Sequence, residues 1–339
     1  MQTATELPMT KTPFTPLEIW QARKRIGGAI LRTPLVHSPA LSRRTGCQIY
    51  LKMECWQRCG CFKVRGAINM LASLSPAERE RGLVTASSGN HAIAVAHASS
   101  RFGRPPTTLF LPEGADPSKV DKIKLQAPAG KDAHLQIVFH GQNYLEAYER
   151  ARHFARENGA TYVHSHAHPA IIAGQGTIGL EIMADLPDVD AVLVPVGGGG
   201  LISGVATAAR AISDRVAIIG VEPTAAPAAY RSLRDGVCYE TIEIEPSLAD
   251  GLLGGFGRLP FEICRDLVRE IQLVTDEEIV AAMRVFQQDE QLMVEAASSV
   301  GLAALLSDGK LALAGQKVVL VITSRNIDAE KFNRIIQGS

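Results

Sequence analysis

The chain has 339 residues, 46% hydrophobic and 21% charged, with 30 glycines and 18 prolines. A chain of that size and composition buries a large core unaided, and its length suits two domains or one large domain carrying a smaller insertion. Lys plus Arg balance Asp plus Glu at 35 each, so no basic excess points to nucleic acid and no charge block marks a tail.

The opening segment, MQTATELPMTKTPFTPLEIW, holds no apolar run of signal-peptide length. No stretch reaches the length of a membrane span, and even VVLVIT is closed by Ser324 and Arg325. A soluble, cytoplasmic protein is expected, with its six cysteines as reduced thiols.

Thr15-Pro16-Leu17-Glu18 predicts a helix start, with an N-cap, a proline at the first helical position and a capping-box glutamate. Strands are predicted at IYLKME, LVTAS, TTLFLP, LQIVF, TYVHS, DAVLVPV, VAIIGVE and KVVLVIT, short apolar runs rich in Val, Ile, Leu or Thr. Between them lie the helical stretches HAIAVAHASSRFG, NYLEAYERARHFARENG and LISGVATAARAIS. Thr275-Asp276-Glu277-Glu278 repeats the capping-box spacing. This alternation predicts an α/β protein with mainly parallel sheets, and the absence of an obvious linker or repeat predicts an inserted domain.

Three segments carry chemistry. Cys61-Phe62-Lys63-Val64-Arg65-Gly66-Ala67 places a lysine among aromatic, apolar and small residues. A solvated surface lysine is the ordinary alternative; a desolvated one has a lowered pKa and serves as nucleophile or base. Thr85-Ala86-Ser87-Ser88-Gly89-Asn90-His91 joins a strand to a helix, and its side chains and helix-start amides suit a carboxylate, although for this segment by itself a plain N-cap at Asn90 or Ser88 is the favoured reading. Val196-Gly197-Gly198-Gly199-Gly200-Leu201 joins DAVLVPV to a helix and predicts a phosphate cup, because glycines admit close approach and the helix start supplies N–H donors and partial positive charge. The segment is neither GxGxxG nor a nucleotide P-loop, so the phosphate is expected to belong to something other than ATP or NAD.

Taken together, in this order and spacing, these segments resemble the fold type II pyridoxal-phosphate enzymes, in their serine/threonine dehydratase and serine racemase branch. The resemblance runs from Arg32-Thr33-Pro34-Leu35 to Asn326 and includes Ala173-Gly174-Gln175-Gly176-Thr177, Gly220-Val221-Glu222-Pro223, Ala249-Asp250-Gly251 and Thr323-Ser324-Arg325-Asn326. It implies a tryptophan synthase β-like architecture of two open parallel-sheet α/β domains. The large one is expected at residues 1–84 and 163–339, the small inserted one at 85–162.

The resemblance also implies roles. Lys63 is the Schiff-base lysine for pyridoxal 5'-phosphate, and Phe62 packs near the ring. Asn90 meets the ring hydroxyl, Gly197, Gly198, Gly199, Gly200 and the Leu201 amide hold the phosphate, and Thr323 meets the pyridine nitrogen. Ser87, Ser88, Gly89 and His91 form the loop for the substrate carboxylate, and Ser88 matches the hydroxyl opposite the lysine in racemases. The implied chemistry is removal of the α-proton by Lys63 as general base, with the ring accepting electrons and the β-hydroxyl leaving. An amino-acid substrate follows, and a homodimer is compatible. A racemase, a β-replacement enzyme of the cysteine synthase kind and a non-catalytic binding protein on the same fold are the alternatives. The β-substituent is left open among serine, threonine, phenylserine, hydroxyaspartate and a hydroxyectoine-derived amino acid.

Four departures limit the transfer. Cys59-Gly60-Cys61 replaces Thr-Gly-Ser, and His164-Ser165-His166-Ala167-His168-Pro169 replaces His-Pro-Phe-Asp-Asp-Pro. Ala228 stands where the cation-binding branch has an Asp six residues after Glu222, and Ile93 replaces a glutamine. The cysteines Cys55, Cys59 and Cys61 are expected as core thiols, and His164, His166 and His168 as a row on one strand face; no metal site is expected from either spacing. His166 is the histidine expected to touch substrate.

Overall fold

The computed structural model describes residues 14–87, 89–126, 134–307, 309 and 311–338. Ten strands and fourteen α-helices follow in chain order: α1 (Pro16–Ile26), β1 (Leu35–Ser38), α2 (Pro39–Thr45), β2 (Gln48–Lys52), α3 (Lys63–Ser73), α4 (Pro76–Glu80), β3 (Leu83–Ala86), α5 (Asn90–Arg101), β4 (Thr107–Leu111), α6 (Pro117–Lys124), β5 (Leu135–Phe139), α7 (Tyr144–Asn158), β6 (Thr161–Tyr162), α8 (Pro169–Asp185), β7 (Ala191–Pro195), α9 (Gly200–Arg210), β8 (Ala217–Pro223), α10 (Ala228–Asp235), α11 (Arg258–Leu267), β9 (Glu270–Val274), α12 (Asp276–Glu290), α13 (Ala296–Leu306), β10 (Lys317–Val321) and α14 (Ala329–Gln337). Both capping boxes read in the sequence form, at Thr15–Glu18 and Thr275–Glu278. Among the described residues, no helix is long and apolar enough to cross a membrane.

Two sheets organise the chain. The first has the order β1-β2-β10-β7-β8-β9 and the second β5-β4-β3-β6. All pairings are parallel except that of β1 with β2. The second sheet lies in sequence between β2 and β7; its strands run from Leu83 to Tyr162, so β3 begins two residues ahead of the boundary expected at 84/85. Two strands escaped the sequence reading, β1 and β9, both at edges of the first sheet. Their four- and five-residue runs, LVHS and EIQLV, mix polar and apolar residues because neither is buried throughout.

Alternation builds the core. In β7, Ala191 and Leu193 join one cluster with Phe286, Val300 and Phe332, while Val192 and Val194 join another with Ile178, Val205 and Phe256. β10 divides likewise, Val318 and Leu320 against Val319 and Val321. Successive side chains of a strand point to opposite faces, so a sheet covered by helices on both sides needs apolar residues at every position.

Helix α8 is the hub between α3 and α9, and glycines let the three backbones meet. A Cβ at Gly174 would lie 2.6 Å from both the Arg65 carbonyl and Gly66 Cα of α3. A Cβ at Gly204 of α9 would lie 2.5 Å from the Gly176 amide nitrogen and the Ile172 carbonyl of α8. The Ala-Gly-Gln-Gly-Thr segment is therefore a helix-packing surface, and no larger residue fits without moving a helix. Replacing Gly204 by alanine is expected to destabilise the fold by about 1–3 kcal/mol through overpacking. Gly28→Ala, where a new methyl would meet nothing within 4 Å, is expected to change stability by less than about 0.5 kcal/mol. Urea unfolding of both variants checks the contrast.

Candidate active site

The sheet order places three loops side by side. Lys63 follows β2, Thr323 follows β10 and the tetraglycine follows β7, and these strands are consecutive neighbours in the first sheet. Ligand sites of open parallel sheets form at such carboxyl ends. Backbone bonds tie the first two loops together: Cys55 N–H donates to Ile322 O at 2.7 Å, Phe62 N–H to Thr323 O at 3.1 Å and Arg325 N–H to Gly60 O at 3.0 Å.

Lys63 opens α3. Its amine donates to the Ser165 carbonyl at 3.1 Å and lies 5.2 Å from the centre of the Phe62 ring. The residue keeps some contact with solvent, yet the amine is packed deeply enough that desolvation lowers its pKa to about 8. Cys55 and Cys61 are buried and Cys59 partly so, as expected of core thiols, and desolvation holds Cys59 up at about 12.

The four glycines run into α9 from its N-terminus, where Gly199 is the N-cap with φ +89°. Side chains are excluded there: a Cβ on Gly198 would fall 2.3 Å from His166 Cγ, and one on Gly200 2.6 Å from the His166 carbonyl. The cradle is thus glycine by steric necessity, and the first amides of α9 have no partner within the helix.

Asn90 opens α5 and is held at both ends of its amide. Its Nδ2 donates to Glu295 at 2.7 Å and its Oδ1 accepts from Asn326 Nδ2 at 2.7 Å. One Nδ2 hydrogen remains for a further acceptor. Ser87 Oγ accepts from Gly89 N at 3.0 Å, shaping the turn; Ser88 lies outside the described residues. The His91 ring turns inward, bonding the Val163 carbonyl through Nε2 at 3.2 Å, and desolvation first, then Lys63, lower its pKa to about 3. His91 therefore offers the turn its backbone amide, not its ring.

The histidine segment is not a strand row. β6 ends at Tyr162, and the chain then bends through residues 163–168. His164 Nδ1 accepts the amides of His166 and Ala167, at 3.2 and 3.0 Å, and His168 caps α8 by accepting from Ala170 N at 3.1 Å. These local side-chain bonds compete with strand pairing and curl the segment. His166 Nδ1 bonds Ser165 Oγ at 2.9 Å, which also meets the Tyr144 hydroxyl at 3.1 Å. Desolvation, reinforced by His164 and Lys63, keeps His166 well below its usual pKa and hence neutral. The Ala167 methyl points at Gly257, where a Cβ would lie 2.8 Å away.

Lys119 was not legible as a site residue. It is 4% exposed, and a Cβ on Gly89 would fall 2.3 Å from its Cδ. Its amine bridges Asp250 and Glu295 at 2.9 Å each. Burial opposes its charge, but the Glu295 and Asp250 carboxylates outweigh that and raise its pKa above the lysine value. Lys119 thus links the helix after β4 to the Asn90 network. Its partners lie more than a hundred residues away, so no local pattern marks it.

The donor set fits a phosphorylated pyridine aldehyde: a desolvated amine, a side-chain-free cradle at a helix start, an amide with a spare N–H, and a buried hydroxyl at Thr323.

The model of pyridoxal-phosphate dependent enzymes matches residues 26–324. The chain is 44% identical over 320 residues to an L-threonine ammonia-lyase of Thermotoga maritima, covering 94% of this chain and 77% of that one. It is 36% identical to an L-threo-3-hydroxyaspartate ammonia-lyase of a Pseudomonas species, covering 95% and 98%. Its fold superposes on maize serine racemase with a TM-score of 0.86 at 33% identity, covering 96% and 97%.

Glu222, six residues before the Ala228 that replaces the cation branch's Asp, serves the backbone of α10. Its carboxylate accepts the Ala229 and Tyr230 amides at 2.9 Å each, at the start of α10. Desolvation nevertheless pushes its pKa up to about 8. An acid whose pKa rises on folding stabilises the fold below its unfolded value and loses that contribution as pH climbs through its folded value. The melting temperature is expected to fall between about pH 5 and pH 8, and Glu222→Gln to flatten that slope. Thermal melts across this range measure it.

Proposed function

Since the chain belongs to the pyridoxal-phosphate dependent enzyme family, we propose that it removes water from a β-hydroxy amino acid and releases a 2-oxo acid and ammonia. The observation that carries this reading is the Lys63 amine, lowered to about 8, on the loop after β2, with the glycine cradle on the loop after β7 and β10 between the two strands. The amino-acid lyases among its relatives, acting by name on threonine and hydroxyaspartate, support the substrate class.

In this reading the backbone amides from Gly197 to Leu201, at the start of α9, would bind the phosphate, Asn90 would give its spare N–H to the ring hydroxyl, and Phe62 would pack beside the ring. The α5 start, with Ser87, Ser88, Gly89 and the His91 amide, receives the substrate carboxylate. Bound pyridoxal phosphate supplies an electron-poor ring that accepts the charge left at the α-carbon. The Lys63 amine has an appreciable neutral fraction near neutral pH and takes the α-proton. Thr323, a neutral hydroxyl, does not hold a proton on the ring as a carboxylate would, so departure of the β-hydroxyl competes with return of the proton. Ser88 as a second proton site is the feature that keeps amino-acid racemisation as the second reading. We further propose a homodimer in the cytoplasm, with residues 85–162 as its small domain; exposed Leu17 and Trp20 on α1 support an assembly.

Borohydride reduction of the purified holoenzyme followed by peptide mass analysis is expected to find the pyridoxyl group on Lys63. Lys63→Ala is expected to remain folded and lose 2-oxo acid formation, since tether and base go together. A label on another lysine, or turnover by folded Lys63→Ala, overturns the assignment.

His166, neutral and over the cradle, supports a substrate larger than serine. Among serine, threonine, phenylserine and hydroxyaspartate, the highest kcat/KM is expected for one of the larger three. His166→Ala is expected to change the ranking by roughly tenfold to a few hundredfold, the scale of a lost shape contact. Serine as best substrate, with an unchanged ranking in the variant, overturns this.

A further inference from the structure

Thr323 is backed by a second buried hydroxyl. Ser298, third residue of α13, is 1% exposed and Thr323 4% exposed. The two hydroxyl oxygens are 2.9 Å apart. Ser298 Oγ also accepts from the Ser324 amide at 2.8 Å and donates to the Ser324 carbonyl at 2.8 Å. A serine hydroxyl has one hydrogen and two lone pairs. With its hydrogen on the Ser324 carbonyl and one lone pair on the Ser324 amide, Ser298 can only accept from Thr323. The Thr323 hydrogen is then turned away from the cleft.

A second arrangement satisfies the same groups. The Ser324 carbonyl also accepts from the Glu295 amide at 3.2 Å, so it keeps a donor when Ser298 lets go. Ser298 then donates to Thr323 Oγ1, and the Thr323 hydrogen is free to point outward.

We propose that Ser298 is a positioning residue whose hydroxyl reverses when the cofactor binds, making Thr323 a donor to the bare ring nitrogen. This rests on the reading that Thr323 meets that nitrogen. The chain Ser298 O–H to Thr323 O–H to nitrogen polarises each bond by the next, so Thr323 donates more strongly than a lone threonine. No proton changes its covalent partner; two hydroxyl groups rotate.

The test is a double-mutant cycle on Ser298→Ala and Thr323→Val, read as the half-saturating pyridoxal phosphate concentration on reloading stripped enzyme. Ser298→Ala is expected to weaken binding roughly twofold to tenfold, the scale of one hydrogen bond, and to move the 15N resonance of the labelled ring nitrogen. In the Thr323→Val background the same change is expected to do neither. Any loss of fit around the Ser324 amide is common to both backgrounds and cancels. Equal weakening in both backgrounds, or an unmoved resonance in Ser298→Ala, overturns the relay. Unchanged cofactor binding and an unmoved resonance in Thr323→Val overturn the placement of Thr323, and the relay with it. Ser298→Cys, which exchanges the hydroxyl for a weak S–H donor, carries the same expectations if Ser298→Ala does not fold.

Discussion

The contact on which the rest depends is the backbone approach of α8 to α3 and α9. Gly174 sits against Arg65 and Gly66, and Gly176 against Gly204. These contacts fix the two helices whose first residues are Lys63 and Gly200. A side chain at the seam would separate amine from cradle, and reacting groups misplaced by about 1 Å lose much of their effect.

The α3 start is anchored a second time by charge. Arg65 is fully buried, with Glu54 and Glu181 each 2.7 Å from its guanidinium, and Lys52 shares Glu181 at 2.6 Å. Removing one partner of such a set leaves a buried charge uncompensated, which costs more than the pair contributes. The cluster lies two residues from Lys63, so it fixes the reactive amine without being near enough to pair with it among the described contacts. Lys63 is left with a carbonyl partner and a lowered pKa.

Around that amine the protein keeps its histidines neutral. His91, His164 and His166 are all lowered, chiefly by desolvation. The charged groups are set back: Lys119 with Asp250 and Glu295 stands behind Gly89 and Asn90, where it orders the turn. The imidazoles around Lys63 are thus neutral, and the charges of Lys119, Asp250 and Glu295 stand behind the turn at Gly89 and Asn90.

Local patterns by themselves determined the mainly parallel α/β architecture, the capping boxes at Thr15 and Thr275, eight of the ten strands among the described residues and the three loops that carry Lys63, Asn90 and the tetraglycine. Each of these is a short-range property: alternation of strand and helix, a cap and its glutamate, glycines before a helix start. Edge strands β1 and β9 lacked that signal because only part of each is buried. The curled histidine segment was misread as a strand row because alternate spacing does not reveal bonds from His164 and His168 to nearby amides. Only the tertiary structure decided that β10 inserts between β2 and β7, which brings Thr323 beside Lys63 across 260 residues of chain. It also set Lys119 against Glu295 and Ser298 against Thr323, and placed Glu222 at the start of α10. These roles are set by strand order and by partners distant in sequence, and neither leaves a periodic trace in the residues themselves.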